Sequence, residues 1–253
     1  MRCVSWNVNG IRAVLRKGIE PWTAVDGADV VALQETKASP EQLTDEVLRP
    51  AGWKSVWASA VKKGYSGTAL YYRGKPDEII EGMGVEAYDA EGRFVALRFA
   101  ELVVVSAYFP NSQDKGKRLD YKLGFCKALE DWLAKMQRKK REVLLLGDYN
   151  IAHEPIDLAR PKPNEGSPGY LPEERAWFSR YLELGFRDVF REKNPNLKAA
   201  YTWWSFRSGA RARNVGWRLD YATTTQKLGD QVLDVVHHPE IMGSDHCPLH
   251  ADF

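Results

Sequence analysis

The sequence predicts an α/β fold in a single domain, and three observations predict it. Short apolar runs stop abruptly at a glycine, amide or acid, stretches of helical periodicity separate some of them, and a central block changes to a period of two. A chain of 253 residues with 44% hydrophobic content can bury a large core, and no linker, low-complexity tract or internal repeat divides it.

Residues 2–8 read as a strand, β-branched at intervals, that gives way to the turn signal Asn7-Val8-Asn9-Gly10. Ile11, Leu15, Ile19, Trp22 and Val25 then recur at helical spacing, which predicts one helix as far as Gly27. A second strand over 29–33 stops at Gln34-Glu35-Thr36-Lys37, so strand, helix and strand in this order suggest paired strands under a covering helix. Residues 40–48 predict a short helix. Strands at 53–58, 67–72, 78–82, 93–99 and 102–107, with turn residues between them, predict a run of antiparallel hairpins ending at Tyr108-Phe109-Pro110-Asn111. The longest helical pattern is 115–141, where an apolar stripe from Leu119 to Met136 faces lysines and arginines expected to be solvated.

The stretch 142–150 anchors the chain. Val143 to Leu146 is an unbroken apolar run closed by Gly147, as in a strand buried on both faces, and it delivers Asp148 and Asn150, two residues apart, to one cleft. Residues 152–169 form a loop long enough to be functional, and 172–184 a helix with Glu173 and Glu174 in its first turn, where the macrodipole favours acids. Strands are expected at 201–204 and 216–223 around an arginine-rich turn. Two final strands, 231–237 and 247–253, are joined through Ser244-Asp245-His246.

A net charge of +2 does not announce a polyanion partner, but its distribution points to one. Arg207, Arg211, Arg213 and Arg218 interleave with Trp203, Trp204, Phe206 and Trp217, a mixture suited to phosphates and to base or sugar faces. No leader-like apolar segment follows Met1 and no eighteen-residue apolar run exists, so a soluble, cytoplasmic protein that makes no use of a membrane is expected. Cys3, Cys126 and Cys247 are far apart and suggest neither a disulfide framework nor a thiolate metal centre.

Collected from the strand ends, Asn7, Glu35, Asp148, Asn150, Asp220, Asp245 and His246 comprise four carboxylates, two amides and one imidazole. An oxygen-dominated set suits Mg²⁺, or Mn²⁺ in its place, better than zinc. A hard cation beside a carboxylate-held histidine points to phosphate ester hydrolysis, and with no Gly-x-x-x-x-Gly-Lys-Ser/Thr loop a nucleoside triphosphate is not the expected ligand.

The chain resembles the exonuclease III type of AP endonucleases, within the endonuclease/exonuclease/phosphatase superfamily. The resemblance rests on Ser5-Trp6-Asn7-Val8-Asn9-Gly10-Ile11-Arg12, Leu33-Gln34-Glu35-Thr36-Lys37, Lys63-Gly64-Tyr65-Ser66-Gly67, Tyr108-Phe109-Pro110-Asn111, Gly147-Asp148-Tyr149-Asn150, Tyr201-Thr202-Trp203-Trp204, Asn214-Val215-Gly216-Trp217-Arg218-Leu219-Asp220-Tyr221 and Gly243-Ser244-Asp245-His246-Cys247-Pro248. These stretches span the chain in order. The resemblance implies a four-layer α-β-β-α sandwich of two mixed sheets, the DNase I-like fold.

It also implies roles. Glu35 would bind the metal with Asn7 and Asp245 beside it, and Asp148, Asn150 and His246 would complete the set around metal and water. Asp148 with Asn150 would position the attacking water, Asp220 would orient His246, and Tyr108 and Asn111 would contact the phosphate. Arg12, Lys37, Tyr65 and Asn164 match positions that contact the DNA backbone, while Trp203, Trp217 and Leu219 match the wall that receives a flipped-out abasic sugar, the residue cheapest to unstack. The implied activity is cleavage of double-stranded DNA 5′ to abasic sites together with 3′-end exonuclease action, by a monomer. Asn9 stands where some relatives carry a carboxylate, which argues against a tightly held second metal, and Ser112-Gln113-Asp114 replaces a stretch where some relatives place an arginine near the DNA groove. Two other readings share the sequence: a lipid or inositol phosphate hydrolase on the same scaffold, and a noncatalytic nucleic-acid-binding protein.

Overall fold

The computed structural model describes residues 1–253. In chain order it contains β1 (Arg2–Asn7), α1 (Ile11–Leu15), β2 (Val30–Gln34), α2 (Asp45–Leu48), β3 (Lys54–Ala58), β4 (Thr68–Tyr72), β5 (Glu78–Glu81), α3 (Glu86–Asp89), β6 (Phe94–Phe99) and β7 (Leu102–Tyr108). These are followed by α4 (Leu119–Arg138), β8 (Glu142–Asp148), α5 (Pro172–Glu183), β9 (Phe186–Asp188), α6 (Val189–Lys193), β10 (Asp220–Thr225), α7 (Gln226–Gly229), β11 (Asp234–His237) and β12 (Leu249–Asp252). The strands make two six-stranded mixed sheets, ordered β11-β12-β1-β2-β4-β3 and β5-β6-β7-β8-β10-β9. None of the helices is long and apolar enough to cross a membrane.

The period-two alternation of the strands builds the layers. In β8, Leu144 and Leu146 turn toward the other sheet, where they pack with Val30, Ala32 and Leu70, whereas Val143 and Leu145 turn outward against Phe125, Leu129, Leu133 and Phe178 of α4 and α5. The outer face of the first sheet carries Val4, Trp6, Val31 and Leu33 under Ile11, Val14, Trp22 and Val25. Because β8 is apolar on both faces, it can sit in the middle of its sheet between β7 and β10.

Four expectations change. The helix expected over 11–27 ends at Leu15, since Gly18 takes φ 76° and Pro21 follows, yet Trp22 and Val25 still reach the core from irregular backbone. The hairpins divide between sheets: β3 pairs with β4 in the first, and β5, β6 and β7 pair in the second. The strand expected at 201–204 and the first half of that expected at 216–223 form isolated bridges, Trp203 with Trp217 and with His246 and Trp217 with Leu158, and the regular strand starts at Asp220. The basic side of α4 is not wholly solvated either, because Lys122 is completely buried.

Candidate active site

Two parallel strand pairs bring the polar strand ends to one edge. β1 runs parallel to β2 with Asn7 opposite Gln34, and β7 runs parallel to β8 with Tyr108 opposite Asp148. Antiparallel β10 begins at Asp220, also opposite Asp148. The carboxyl ends of β1, β2, β7 and β8 therefore meet, and the turns that follow them carry Asn9, Glu35, Lys37 and Asn150, all with positive φ between 46° and 51°. Non-glycine residues occupy this region at a cost, and such strain gathers where side-chain direction matters more than backbone comfort.

Asn7 lies between the two sheets' acids: its amide donates to Glu35 Oε1 at 2.9 Å and to Asp148 Oδ2 at 2.8 Å. Lys37 Nζ stands 2.8 Å from the other Glu35 oxygen. Burial works to raise the Glu35 pKa, but Lys37 and the Asn7 amide outweigh it and the carboxyl is held below its ordinary value. Asp148 is 1% exposed and accepts from the Asn150 backbone N–H at 2.8 Å and from the Asn150 amide at 3.2 Å. The Asn150 amide also donates to the Phe109 carbonyl, and its oxygen accepts from Asn111 at 3.0 Å.

His246 completes the cluster. Its Nδ1 meets Asp220 Oδ2 at 2.8 Å and its Nε2 lies 3.8 Å from Asp148 Oδ2. The second oxygen of Asp220 is buried without a partner, so that carboxylate has no donor competing with the imidazole. Burial disfavours a charged ring, but Asp220 and then Asp148 outweigh it and lift the His246 pKa to about 10. Burial pushes Asp148 up to about 7 against the opposing pull of the His246 cation, so the proton of this pair sits mainly on the histidine at neutral pH. Tyr108, buried and close to Glu35 and Asp148, is raised well above the ordinary phenol range and remains a donor.

Oxygens of Glu35 and Asp148 and a ring nitrogen of His246 lie within 4.8 Å of one another. Two carboxylates with one imidazole and surrounding amides fit a hard divalent cation. Asp245 lies at the same pocket but spends Oδ1 on Asn9 and Oδ2 on the Trp203 indole N–H, at 2.9 and 3.0 Å.

The pocket over these groups has a volume of about 220 Å³ and is lined on its apolar side by Trp203, Trp217 and Leu219. A larger cavity of about 540 Å³, lined by residues including Phe190, Tyr201, Trp204 and His237, has a single carboxylate and lacks the paired acids that this chemistry requires. Arg12, Lys37, Tyr65 and Asn164 stand outside the 220 Å³ pocket. Arg12 is exposed and donates to the Lys37 carbonyl, while the Tyr65 hydroxyl is held by Arg93 and Arg118 at 2.9 and 2.6 Å.

Two of the arginines grouped with the tryptophans are not free for phosphate. Arg218 is buried between Asp157 and Asp188, and Arg211 lies over the Trp204 ring, donating to the carbonyls of Ser244, Pro239 and Ile241. Arg207 and Arg213 remain exposed. The structure adds Thr202, whose buried hydroxyl accepts the N–H groups of both Leu219 and Asp220, and Trp6, whose indole donates to the His246 carbonyl. Nothing in a lone threonine marks such a role. Pro168 and Gly169 also line the pocket, from the loop whose length alone suggested function.

The chain matches the model of the Endonuclease/Exonuclease/phosphatase family over residues 4–246. It is 44% identical over 250 residues to an exodeoxyribonuclease of Bacillus subtilis, covering 98% of each chain. It is 38% identical over 252 residues to a DNA-(apurinic or apyrimidinic site) endonuclease of Dictyostelium discoideum, covering 98% of this chain and 69% of that one. Its structure superposes on an AP endonuclease from Archaeoglobus fulgidus with a TM-score of 0.89 at 29% identity, covering 100% and 99% of the two chains.

Proposed function

The chain belongs to the endonuclease/exonuclease/phosphatase family, and from that premise we propose that it is a Mg²⁺-dependent DNA repair nuclease cutting the phosphodiester 5′ to an abasic site. The reading includes 3′-to-5′ exonuclease and 3′-end-cleaning activity on double-stranded DNA, by a cytoplasmic monomer acting as one catalytic domain. The observation that carries it is the joining, in one small pocket, of the Glu35–Asp148–His246 cluster with an apolar wall of Trp203, Trp217 and Leu219. The names of the bacterial and amoebal relatives support DNA as the substrate.

Glu35 and Asp148, with Asn7, Asn150 and Asp245 around them, are the donors that would hold Mg²⁺ or its substitute Mn²⁺, and His246 would join them only with its ring neutral. A bound cation neutralises a phosphate oxygen and stabilises the departing alkoxide. Asp148, a buried carboxylate facing the His246 ring, suits the task of taking a proton from water, and Asn150 aligns that water from the same turn. His246, held charged by Asp220, faces the oxygens on which negative charge develops, and Tyr108 and Asn111 donate hydrogen bonds to the phosphate. The tryptophans and Leu219 pack against a baseless deoxyribose, which flips out at least cost. Arg12, Lys37, Tyr65 and Asn164 hold the flanking backbone.

The test is incubation with a duplex carrying one abasic site, with Mg²⁺ or with chelator. Incision 5′ to the site that requires the cation and disappears in Glu35→Ala, with unchanged melting temperature in the chelated state, is expected. Full activity of Glu35→Ala at sub-millimolar Mg²⁺ would remove Glu35 from the metal site.

A further inference from the structure

Lys122 of α4 and Glu174 of α5 form an ion pair with both side chains fully buried. Lys122 Nζ donates to Glu174 Oε1 at 2.7 Å and to the main-chain carbonyl of Asn150 at 2.6 Å. Glu174 also accepts from the Ser112 hydroxyl at 2.8 Å and, through Oε2, from the Leu171 N–H at 3.0 Å. One buried couple thus ties the two outer helices to the turn bearing Asn150 and to the segment that follows Asn111.

Stability does not account for it, since two apolar side chains of similar volume commonly do as well as a buried ion pair or better. What they could not supply is a donor for the Asn150 carbonyl. Asn150 is held at φ 50°, a left-handed conformation that asparagine tolerates better than most side chains, and from there its amide reaches Asp148 and the Phe109 carbonyl together.

We propose that Lys122 is a positioning residue for hydrolysis: it clamps the Asn150 carbonyl so that Asn150 keeps Asp148 and Asn111 in register, and Glu174 holds the ammonium in place. The proposal rests on the nuclease reading. Outer groups that orient a metal or catalytic side chain are commonly worth about 10- to 100-fold in activity, and a loss of that size is expected here.

Two variants separate positioning from folding. Lys122→Met leaves Glu174 an unpaired buried anion, so the melting temperature falls, whereas Lys122→Met with Glu174→Gln removes the stranded charge and restores most of it. If Lys122 positions Asn150, kcat on the abasic duplex stays at least tenfold low in both variants. KM stays within threefold of wild type, and Lys122→Arg recovers most of the rate. Recovery of kcat in step with melting temperature overturns the proposal, and so does a folded Lys122→Met enzyme within threefold of wild-type kcat. A wild-type protein that leaves the abasic duplex uncut removes the nuclease reading instead. The clamp is then read in a crystal structure of the double variant, where departure of Asn150 from positive φ supports it and an unmoved Asn150 amide overturns it.

Discussion

Replacing Arg218 by methionine should unfold this protein more easily without weakening its grip on DNA phosphates. The guanidinium donates from Nε to Asp157 Oδ1 at 2.8 Å and from both terminal nitrogens to Asp188 at 3.1 and 2.7 Å, and it lies 4.3 Å from the Tyr221 ring centroid. Asp157 and Asp188 are 1% and 5% exposed, so the charges left behind cannot be resolvated in place. Breaking a buried pair from one side costs about 3–5 kcal/mol. Arg191 still bonds Asp157 at 2.6 Å, which argues for the lower end. For a chain of this size each kcal/mol moves Tm by about 2–4 °C, so a drop of roughly 6–12 °C is expected from 3 kcal/mol. The paired assay is the salt dependence of Kd for a DNA duplex. The log–log slope should be unchanged in Arg218→Met, whereas removing the exposed guanidinium of Arg207 or Arg213 should flatten it by about 0.9 for each phosphate that is no longer neutralised. An unshifted Tm together with a flatter slope would place Arg218 on the DNA and refute the buried-clamp account.

Asp148→Asn keeps the shape of the group but removes its charge, so kcat should fall by roughly 10²–10⁴, the range of a lost general base; a loss confined to KM would make Asp148 a binding residue only. Trp217→Ala should cost abasic cleavage more than 3′-exonuclease digestion, by about 1–3 kcal/mol of stacking-like packing against the flipped sugar. Equal losses of both rates with a lowered melting temperature would make that tryptophan ordinary core. The metal-free protein should show a pH signature of His246. Its folded pKa of about 10 lies above the ordinary 6.5, so its stabilisation is complete below about 6.5 and is lost as pH rises toward 10. Compared with His246→Asn by denaturant titration, the wild-type advantage should shrink across that window, and a constant difference would contradict the charged pairing with Asp220.

The candidate site was legible in the sequence because each of its parts is a local event. Val143 to Leu146 must be buried on both faces, and a chain leaving such a strand through Gly147 has to put Asp148 and Asn150 at its end. The same holds for Asn7, the last residue of β1, and Glu35, just after β2, so the polar strand ends marked the residues that the fold gathers at one edge. Periodicity likewise marked Ile11, Trp22 and Val25 as facing inward, although it mistook a turn broken by Gly18 and Pro21 for one helix.

Only the tertiary structure decided what a charge meets. Lys122 and Arg218 look in sequence like any basic residue on a helix face or in an arginine-rich turn, and their partners Glu174, Asp157 and Asp188 lie 30 to 61 positions away. Thr202 became a support of the pocket wall solely because the folded chain presents the N–H groups of Leu219 and Asp220 to its hydroxyl. Burial and strand periodicity are properties of consecutive residues, and a sequence displays them. Whether an ammonium or guanidinium is solvated or paired depends on which distant carboxylate the two packed sheets and their helices bring within hydrogen-bonding reach, and that is settled only when the chain has folded.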